Sequence, residues 1–238
     1  MIKIVSFKIC PFVQRVTALL EAKQLAYQVE YISLKDKPQW FLDISPNGQV
    51  PLLITEEGIA LFESEAIVEY INEVSRPLED KLTPEQKALD RAWSYMAAKH
   101  YLVQCSAMRS ADEDTLCERM TKLSKPFAKV EAELAKRESA SGHLFKGEQL
   151  SNVDIAWLPL LHRAQIIQQH TGFDLFANKP NVKAWQTALF ETGLFGASVA
   201  EDFEEAFTGF YLSDQTYLGQ GAKCCETRSN SNDELACC

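Results

Sequence analysis

The sequence predicts two structural units, a small α/β unit followed by an all-helical unit. Within residues 1–78, strand-like and helix-like runs follow one another in the order β-α-β-α-β-β-α. From residue 84 to residue 215, apolar residues recur at three- and four-residue steps with few helix breakers, which is typical of amphipathic helices. We therefore expect an α/β domain over 1–78 and a helical domain over 84–215.

The elements of the first unit are predicted from periodicity and turn signals. Alternating or continuous short apolar runs indicate strands, and the dense turn cluster SPNGQVP separates them from the second half of the unit. In chain order we expect a strand over 2–6, a helix from 11, a strand over 27–32, a short helix over 38–42, a hairpin over 51–61 and a helix over 63–74.

A helix start is predicted at Ser151, with Asp154 three residues later. This spacing is that of a capping box, in which the serine and the acidic residue each accept a hydrogen bond from the other's backbone N–H. Capping explains both residues, so we predict that they stabilise the helical domain.

Charge and hydropathy exclude several classes of partner. The net charge of -9 and the pI near 5.1 argue against a nucleic-acid partner, which favours a basic surface. No apolar run approaches the ~20 residues that span a bilayer, and the N-terminus lacks a secretory pattern. The seven cysteines show no disulfide framework, so a cytoplasmic, mostly reduced protein is expected.

Residues 216–238 turn polar, and this composition predicts disorder. The segment contains two Cys-Cys pairs, at 224–225 and 237–238. Metal binding, prenylation and partner binding are alternatives to a neutral, solvated extension. The four histidines show no ligand spacing, so we expect no metal cofactor.

Cys10 stands where the first strand gives way to a helix, directly before Pro11. The unpaired N–H groups of a helix start stabilise a thiolate and lower its pKa from about 8.5 toward 7 or below. Proline suits the first helical position because its missing N–H had no partner there. A buried cysteine that packs as a small apolar residue explains the position equally well.

Val13 occupies the place of the second cysteine in a C-x-x-C pair. A dithiol oxidoreductase would need that resolving thiol. A reactive Cys10 would therefore borrow a second thiol, and glutathione is the natural donor in a reducing compartment.

Five motifs then point to one family: C-P-F at 10–12, SLKDKPQW at 33–40, NGQVP at 47–51, FESEAI at 62–67 and SNVDIAW at 151–157. Together they resemble a cytosolic glutathione transferase, and the first two are similar to its omega-like, cysteine-type branch. The resemblance covers most of the chain up to about residue 210. It implies a thioredoxin-like N-terminal domain, a C-terminal helical bundle and a homodimer.

The resemblance also implies a glutathione site. Pro51 would be a cis-proline that turns the backbone of Val50 toward the cysteinyl part of glutathione. Glu63 would bind the α-amino group of the γ-glutamyl part, and Ser64, at a helix start, would bind its carboxylate. Taken alone, Pro51 is better explained as a turn proline, and Ser64 is explained equally well as an N-cap.

Two more residues rest on the same resemblance. Lys37 would hold the glycyl carboxylate, and Phe12 would wall the site near the sulfur. A solvated lysine and an ordinary apolar contact are the alternatives. Candidates for a second-substrate pocket between the domains, for which core packing is the alternative, are Tyr95, Tyr101, Met108 and Trp157.

With Cys10 as nucleophile, the implied activity is that of a glutathione-dependent thiol transferase or reductase. The thiol attacks a glutathione mixed disulfide, becomes joined to glutathione, and is freed by a second glutathione. The same cycle would reduce dehydroascorbate. The alternatives are a conventional conjugating transferase, in which Cys10 only supports the glutathione sulfur, and a non-enzymatic regulatory protein on the same fold.

Overall fold

The N-terminal domain is built on a four-stranded mixed sheet with the strand order β2-β1-β3-β4. A computed structural model describes residues 1–136 and 142–221. The strands are β1 (Ile2–Ser6), β2 (Tyr27–Tyr31), β3 (Leu52–Ile54) and β4 (Ala60–Phe62). β1 runs parallel to β2 and antiparallel to β3, and β3 runs antiparallel to β4. The parallel pair needs a crossover, which a helix supplies.

Alternation along the strands gives the sheet two buried faces. The helices of this domain are α1 (Pro11–Ala22), α2 (Gln39–Ile44) and α3 (Ser64–Val74). Ile4 and Leu53 join the main core with helices α1 and α3, whereas Val5 and Leu52 join a smaller cluster that includes Phe41 of α2. The sequence predicted this order of elements, with differences of one or two residues at their ends.

The C-terminal domain is helical throughout its described part. Its helices are α4 (Pro84–Met108), α5 (Glu113–Leu134), α6 (Asn152–Thr171), α7 (Pro180–Glu191), α8 (Leu194–Ala197) and α9 (Phe203–Tyr211). Helix α6 is the central helix, since fourteen of its twenty residues are buried, and it packs against α4, α7 and also α1 of the first domain. The domains therefore share an interface along α1 and α6. Within the described ranges, no helix is both long and apolar enough to cross a membrane.

The start of the C-terminal segment, residues 216–221, differs from its prediction. Disorder was expected from residue 216 onward, but Leu218 is buried against α9, and the Tyr217 N–H donates to the Ser110 carbonyl at 2.8 Å. Leu218 supplies an apolar anchor that the polar composition around it conceals. The two Cys-Cys pairs at 224–225 and 237–238 lie outside the described residues.

The capping box of α6 is present and does more than cap the helix. The Ser151 hydroxyl accepts from the Asp154 N–H at 3.3 Å, and the Ser151 N–H donates to the Asp154 carboxylate at 2.8 Å. The same buried carboxylate accepts from the Trp185 indole at 2.6 Å and from the Phe145 N–H at 2.8 Å. Asp154 therefore joins α6 to α7 and to the loop before α6.

We predict unequal costs for the two capping residues. Ser151→Ala removes a cap and should lower the free energy of unfolding by about 1 kcal/mol. Asp154→Ala leaves several buried donors without an acceptor and should cost about 3 kcal/mol or more. Equilibrium denaturation measures both, with Asp112→Ala, which removes the exposed cap of α5, as the control. Equal effects of Asp154→Ala and Asp112→Ala would contradict this account.

Candidate active site

Three chain segments meet at one edge of the sheet. Val5 pairs with Leu52, and Leu52 pairs with Phe62. β1 ends at Ser6, β3 begins at Leu52 and β4 ends at Phe62, so the loops that adjoin these three strand ends lie at the same edge. The segments at that edge are the loop that leads to Cys10, the Val50–Pro51 turn and the Glu63–Ser64 start of α3.

Cys10 is the N-cap residue of α1. Its backbone is extended, with φ -75° and ψ 122°, and its N–H donates to the Phe7 carbonyl at 3.0 Å. Pro11 occupies the first helical position, as the sequence predicted. Cys10 as a residue is partly exposed, but its thiol is largely withdrawn from water. The backbone N–H groups of Phe12 and Val13 interact with the thiol.

The pKa of the Cys10 thiol differs from the sequence expectation. Burial raises it above its ordinary value, while the N–H groups of Val13 and Phe12 and the charge of Arg163 lower it, and burial outweighs them. The expected shift toward 7 or below is therefore wrong for this structure. The sequence indicates the start of the helix and the presence of a helical domain, but it does not indicate that this domain covers the thiol.

Arg163 connects the helical domain to the Cys10 loop. Its side chain is fully buried and donates hydrogen bonds to the Gln14 side chain, to the Pro159 carbonyl at 3.0 Å and to the Ile9 carbonyl at 3.1 Å. Gln14 lies on α1, so one guanidinium fixes both the residue before Cys10 and the first turn of the helix.

His162 extends this buried network but does not serve as a base. Its Nδ1 lies 2.8 Å from the Gln14 side-chain nitrogen, and its ring stacks against Phe195 and Phe203. Burial, and then the charge of Arg163, lowers the pKa of His162 to about 3. The imidazole is therefore neutral near neutral pH and acts as a structural acceptor, as expected for a satisfied histidine.

The residues implied for glutathione lie together at the sheet edge. Ser64 is the first, buried residue of α3, and Glu63 caps it with a strained φ of 65°. The Asn47 side-chain amide donates to the Glu63 carboxylate at 2.9 Å. Lys37 Nζ donates to the Gly48 carbonyl at 2.7 Å. Thus the turn over 47–51 holds both the lysine and the glutamate in place.

The Val50–Pro51 peptide bond is cis, as the resemblance implied. Within the described part of the chain, the Val50 N–H and C=O form no backbone hydrogen bond, so they remain able to pair with an extended ligand. Phe12 lies at the domain interface, with its ring edge-on to Tyr101 at 5.1 Å between ring centroids.

Three of the four residues predicted to line the second-substrate pocket lie in the core. Tyr101, Met108 and Trp157 are fully buried. The Tyr101 hydroxyl donates to the Ala156 carbonyl, and the Trp157 indole donates to the Trp93 carbonyl at 3.1 Å. Their apolar spacing reflected helix packing. Tyr95 lies on the exposed face of α4.

A different cavity lies beside the loop that leads to Cys10. It has a volume of about 300 Å³ and is lined by the aromatic rings of Phe7, Tyr31 and Phe210. Lys8, at its rim, forms an ion pair with Asp202 at 2.5 Å and so joins this loop to the start of α9. Cys10 itself borders a space of about 10 Å³, which has room for roughly one water molecule.

Sequence reasoning did not identify Asn47, Gln14 or Arg163. Asn47 stood inside a quoted motif, so its turn position was a usable signal. Arg163 had no such signal, because one arginine on a helix gives no indication that it is buried beside a distant loop. In the ranges 1–136 and 142–221, no group of three or more histidine, cysteine or acidic side chains could hold a metal ion.

The N-terminal domain has a mixed sheet with a cis-proline before β3, and a helical bundle follows it. This combination defines the glutathione transferase class of proteins. The model of the glutathione S-transferase N-terminal domain matches residues 9–74, and the model of the C-terminal domain matches residues 94–201. The chain belongs to the glutathione S-transferase family of enzymes. The predicted family and fold are therefore confirmed.

Individual relatives place the chain near the omega class. It is 29% identical over 218 residues to glutathione S-transferase omega-1 of Sus scrofa, covering 90% of this chain and 87% of that protein. It is 32% identical to pyrimidodiazepine synthase of Drosophila melanogaster, covering 73% and 69%. A rice protein named probable cytosolic glutathione S-transferase DHAR1 is 29% identical, covering 78% and 82%. The crystal structure of glutathione transferase Omega 3C from Trametes versicolor superposes with a TM-score of 0.70 at 24% identity, covering 84% and 89%.

We predict that Cys10 reacts as a thiol with a raised pKa. Its alkylation by iodoacetamide should accelerate with pH and reach half-maximum above the ordinary cysteine value of about 8.5. Peptide mapping follows Cys10 separately from the other cysteines, and Cys10→Ser supplies the blank. A midpoint near pH 7 or below would show that the helix start outweighs burial.

Proposed function

We propose that this chain is a glutathione-dependent thiol transferase and reductase in which Cys10 is the nucleophile. The observation that carries the proposal is the position of Cys10, partly exposed at the start of α1 and at the edge shared with Val50 and Glu63. A hydroxyl at this position could only donate to a glutathione thiolate, whereas a thiolate can attack a disulfide.

Different residues of the site suit different parts of the glutathione molecule. The open backbone groups of Val50 suit the cysteinyl part, and the start of α3 at Ser64 suits the γ-glutamyl carboxylate. Glu63, held by Asn47, suits the α-amino group, and Lys37 suits the glycyl carboxylate. Phe12, partly buried beside Tyr101, would close the site near the sulfur.

The reaction cycle has two balanced steps. The Cys10 thiolate attacks the glutathionyl sulfur of a mixed disulfide, forms a Cys10–glutathione disulfide and releases the substrate thiol. A glutathione thiolate then attacks that disulfide, frees Cys10 and leaves as oxidised glutathione. The relative named DHAR1 supports testing dehydroascorbate as an additional oxidised substrate, since two thiols supply the two electrons that its reduction needs.

The second substrate is proposed to bind beside the Cys10 loop. The aromatic cavity of Phe7, Tyr31 and Phe210 offers apolar area there, and the Lys8–Asp202 ion pair spans its rim. This cavity is an alternative to the four residues expected from the sequence, three of which are buried in the core.

We further propose that the chain forms a homodimer in the cytoplasm. Tyr95 and Leu102 lie seven residues apart on one exposed face of α4, and the Glu69–Arg91 ion pair joins that helix to α3. Phe62 of β4 is also exposed. Apolar side chains on neighbouring elements suit an interface, and sedimentation tests the oligomeric state. The cytosolic relative supports the compartment.

Incubation with oxidised glutathione tests the enzymatic proposal. We expect one glutathione on Cys10, identified by peptide mapping, and loss of both adduct and reductase turnover in Cys10→Ser. We also expect disulfide reduction to exceed conjugation of an aryl halide. Aryl-halide conjugation that exceeds disulfide reduction and survives Cys10→Ser would instead identify a conventional conjugating transferase. Glutathione binding without either activity would identify a regulatory protein.

A further inference from the structure

A second thiol, that of Cys105, lies near Cys10. Cys10 and Cys105 are both free and partly exposed. They lie close enough for their charges to interact with each other, and both interact with the Arg163 guanidinium. Cys105 belongs to α4, so the helical domain contributes a sulfur to the surroundings of the Cys10 thiol.

The contacts of neighbouring residues on α4 also indicate where Cys105 lies, without reference to charge interactions. Tyr101 lies one turn before Cys105 on α4, and its ring contacts Phe12, two residues after Cys10. Gln104 donates to the Leu160 carbonyl at 2.9 Å, whereas Tyr101 donates to Ala156. Helices α4 and α6 therefore run in the same direction along their contact.

This shared direction brings Cys105 level with the turn of α6 that carries Arg163. Arg163 in turn donates to the Ile9 carbonyl at 3.1 Å, next to Cys10. The guanidinium therefore lies among the two thiols and the loop between β1 and α1.

Arg163 is also a buried cation without a carboxylate partner in the described ranges. Its hydrogen bonds go to neutral oxygens, and its buried Nε has no hydrogen-bond partner there. A buried charge is costly unless an opposite charge lies near it. The acidic groups that interact with it are thiols and phenols, chiefly Cys105, Cys10, Tyr211 and Tyr101. The Arg163 charge therefore favours an ionised sulfur beside it, against the burial that opposes ionisation.

We propose that Cys105 is a resolving thiol that attacks the Cys10–glutathione disulfide. This step rests on the proposed function. The Cys105 sulfur bonds to the Cys10 sulfur, the Cys10–glutathione bond breaks, and glutathione leaves with the proton from Cys105. Two further glutathione molecules reduce the Cys10–Cys105 disulfide and leave as oxidised glutathione, so the electrons balance.

Tyr211 holds Cys105 on the side of α9. Burial raises the pKa of the Tyr211 hydroxyl, and so do the charge of Cys105 and the hydrogen bond between the two side chains. The phenol therefore stays protonated and remains a hydrogen-bonding partner for the sulfur. No sequence pattern indicates this thiol pair, since Cys10 and Cys105 are far apart along the chain.

The test follows the fate of the glutathione on Cys10. Reduced protein is treated with oxidised glutathione, the excess is removed, and tryptic peptides are mapped without reduction over time. In the natural protein we expect the Cys10 adduct to disappear, glutathione to be released, and a linked Cys10–Cys105 peptide to form. In Cys105→Ser the adduct should persist, and Cys105→Ala provides a second variant should the first fold poorly.

The outcomes separate the two proposals. A natural protein that retains the Cys10 adduct as long as Cys105→Ser does, without the linked peptide, overturns the resolving role and leaves the proposed function intact. If Cys105→Ser acquires no glutathione on Cys10 while its melting curve is unchanged, the proposed function itself fails, and the resolving role with it.

Discussion

The buried Arg163 guanidinium is the interaction on which the candidate site depends. It belongs to α6, yet it donates to the Ile9 carbonyl and to Gln14, and so it fixes the loop and the helix on either side of Cys10. Thr17 of α1 adds a hydrogen bond to the Ser198 carbonyl at 2.7 Å. The position of the Cys10 thiol is thus set by both domains, although the residue belongs to the first.

The two domains act on the thiol in opposite directions. The start of α1 supplies N–H groups that favour a thiolate, but the helical domain removes the thiol from water and so disfavours it. The same domain also places the Arg163 charge near the thiol, and this charge partly offsets the effect of burial on the Cys10 pKa. The balance leaves a thiol that is mainly protonated at neutral pH, and its thiolate is favoured by the N–H groups of Val13 and Phe12 and by the Arg163 charge.

Features set by local chemistry could be predicted from the sequence. The capping box at Ser151 and Asp154 needs only neighbours three residues apart, and the Cys10-Pro11 helix start needs only a proline at the first position. The cis bond before Pro51 came from the family resemblance, because a single proline is equally compatible with an ordinary turn.

Features set by packing between distant segments could not be predicted. Trp157 and Met108 have the periodicity of a buried helix face, and periodicity alone does not distinguish a core from the wall of a pocket. Burial raised the pKa of Cys10 because a second domain covers it, which no local pattern records. Arg163 gained its role only when α6 was placed against α1.

The pH profile of disulfide reduction in an Arg163→Met variant tests the central claim most directly. If the guanidinium lowers the pKa of the Cys10 thiol, its removal should move the rising limb of the profile to higher pH. Arg163→Lys, which keeps the charge, should retain more of the original position, and circular dichroism monitors folding in both variants. A folded Arg163→Met variant with an unchanged or lower midpoint would contradict the account.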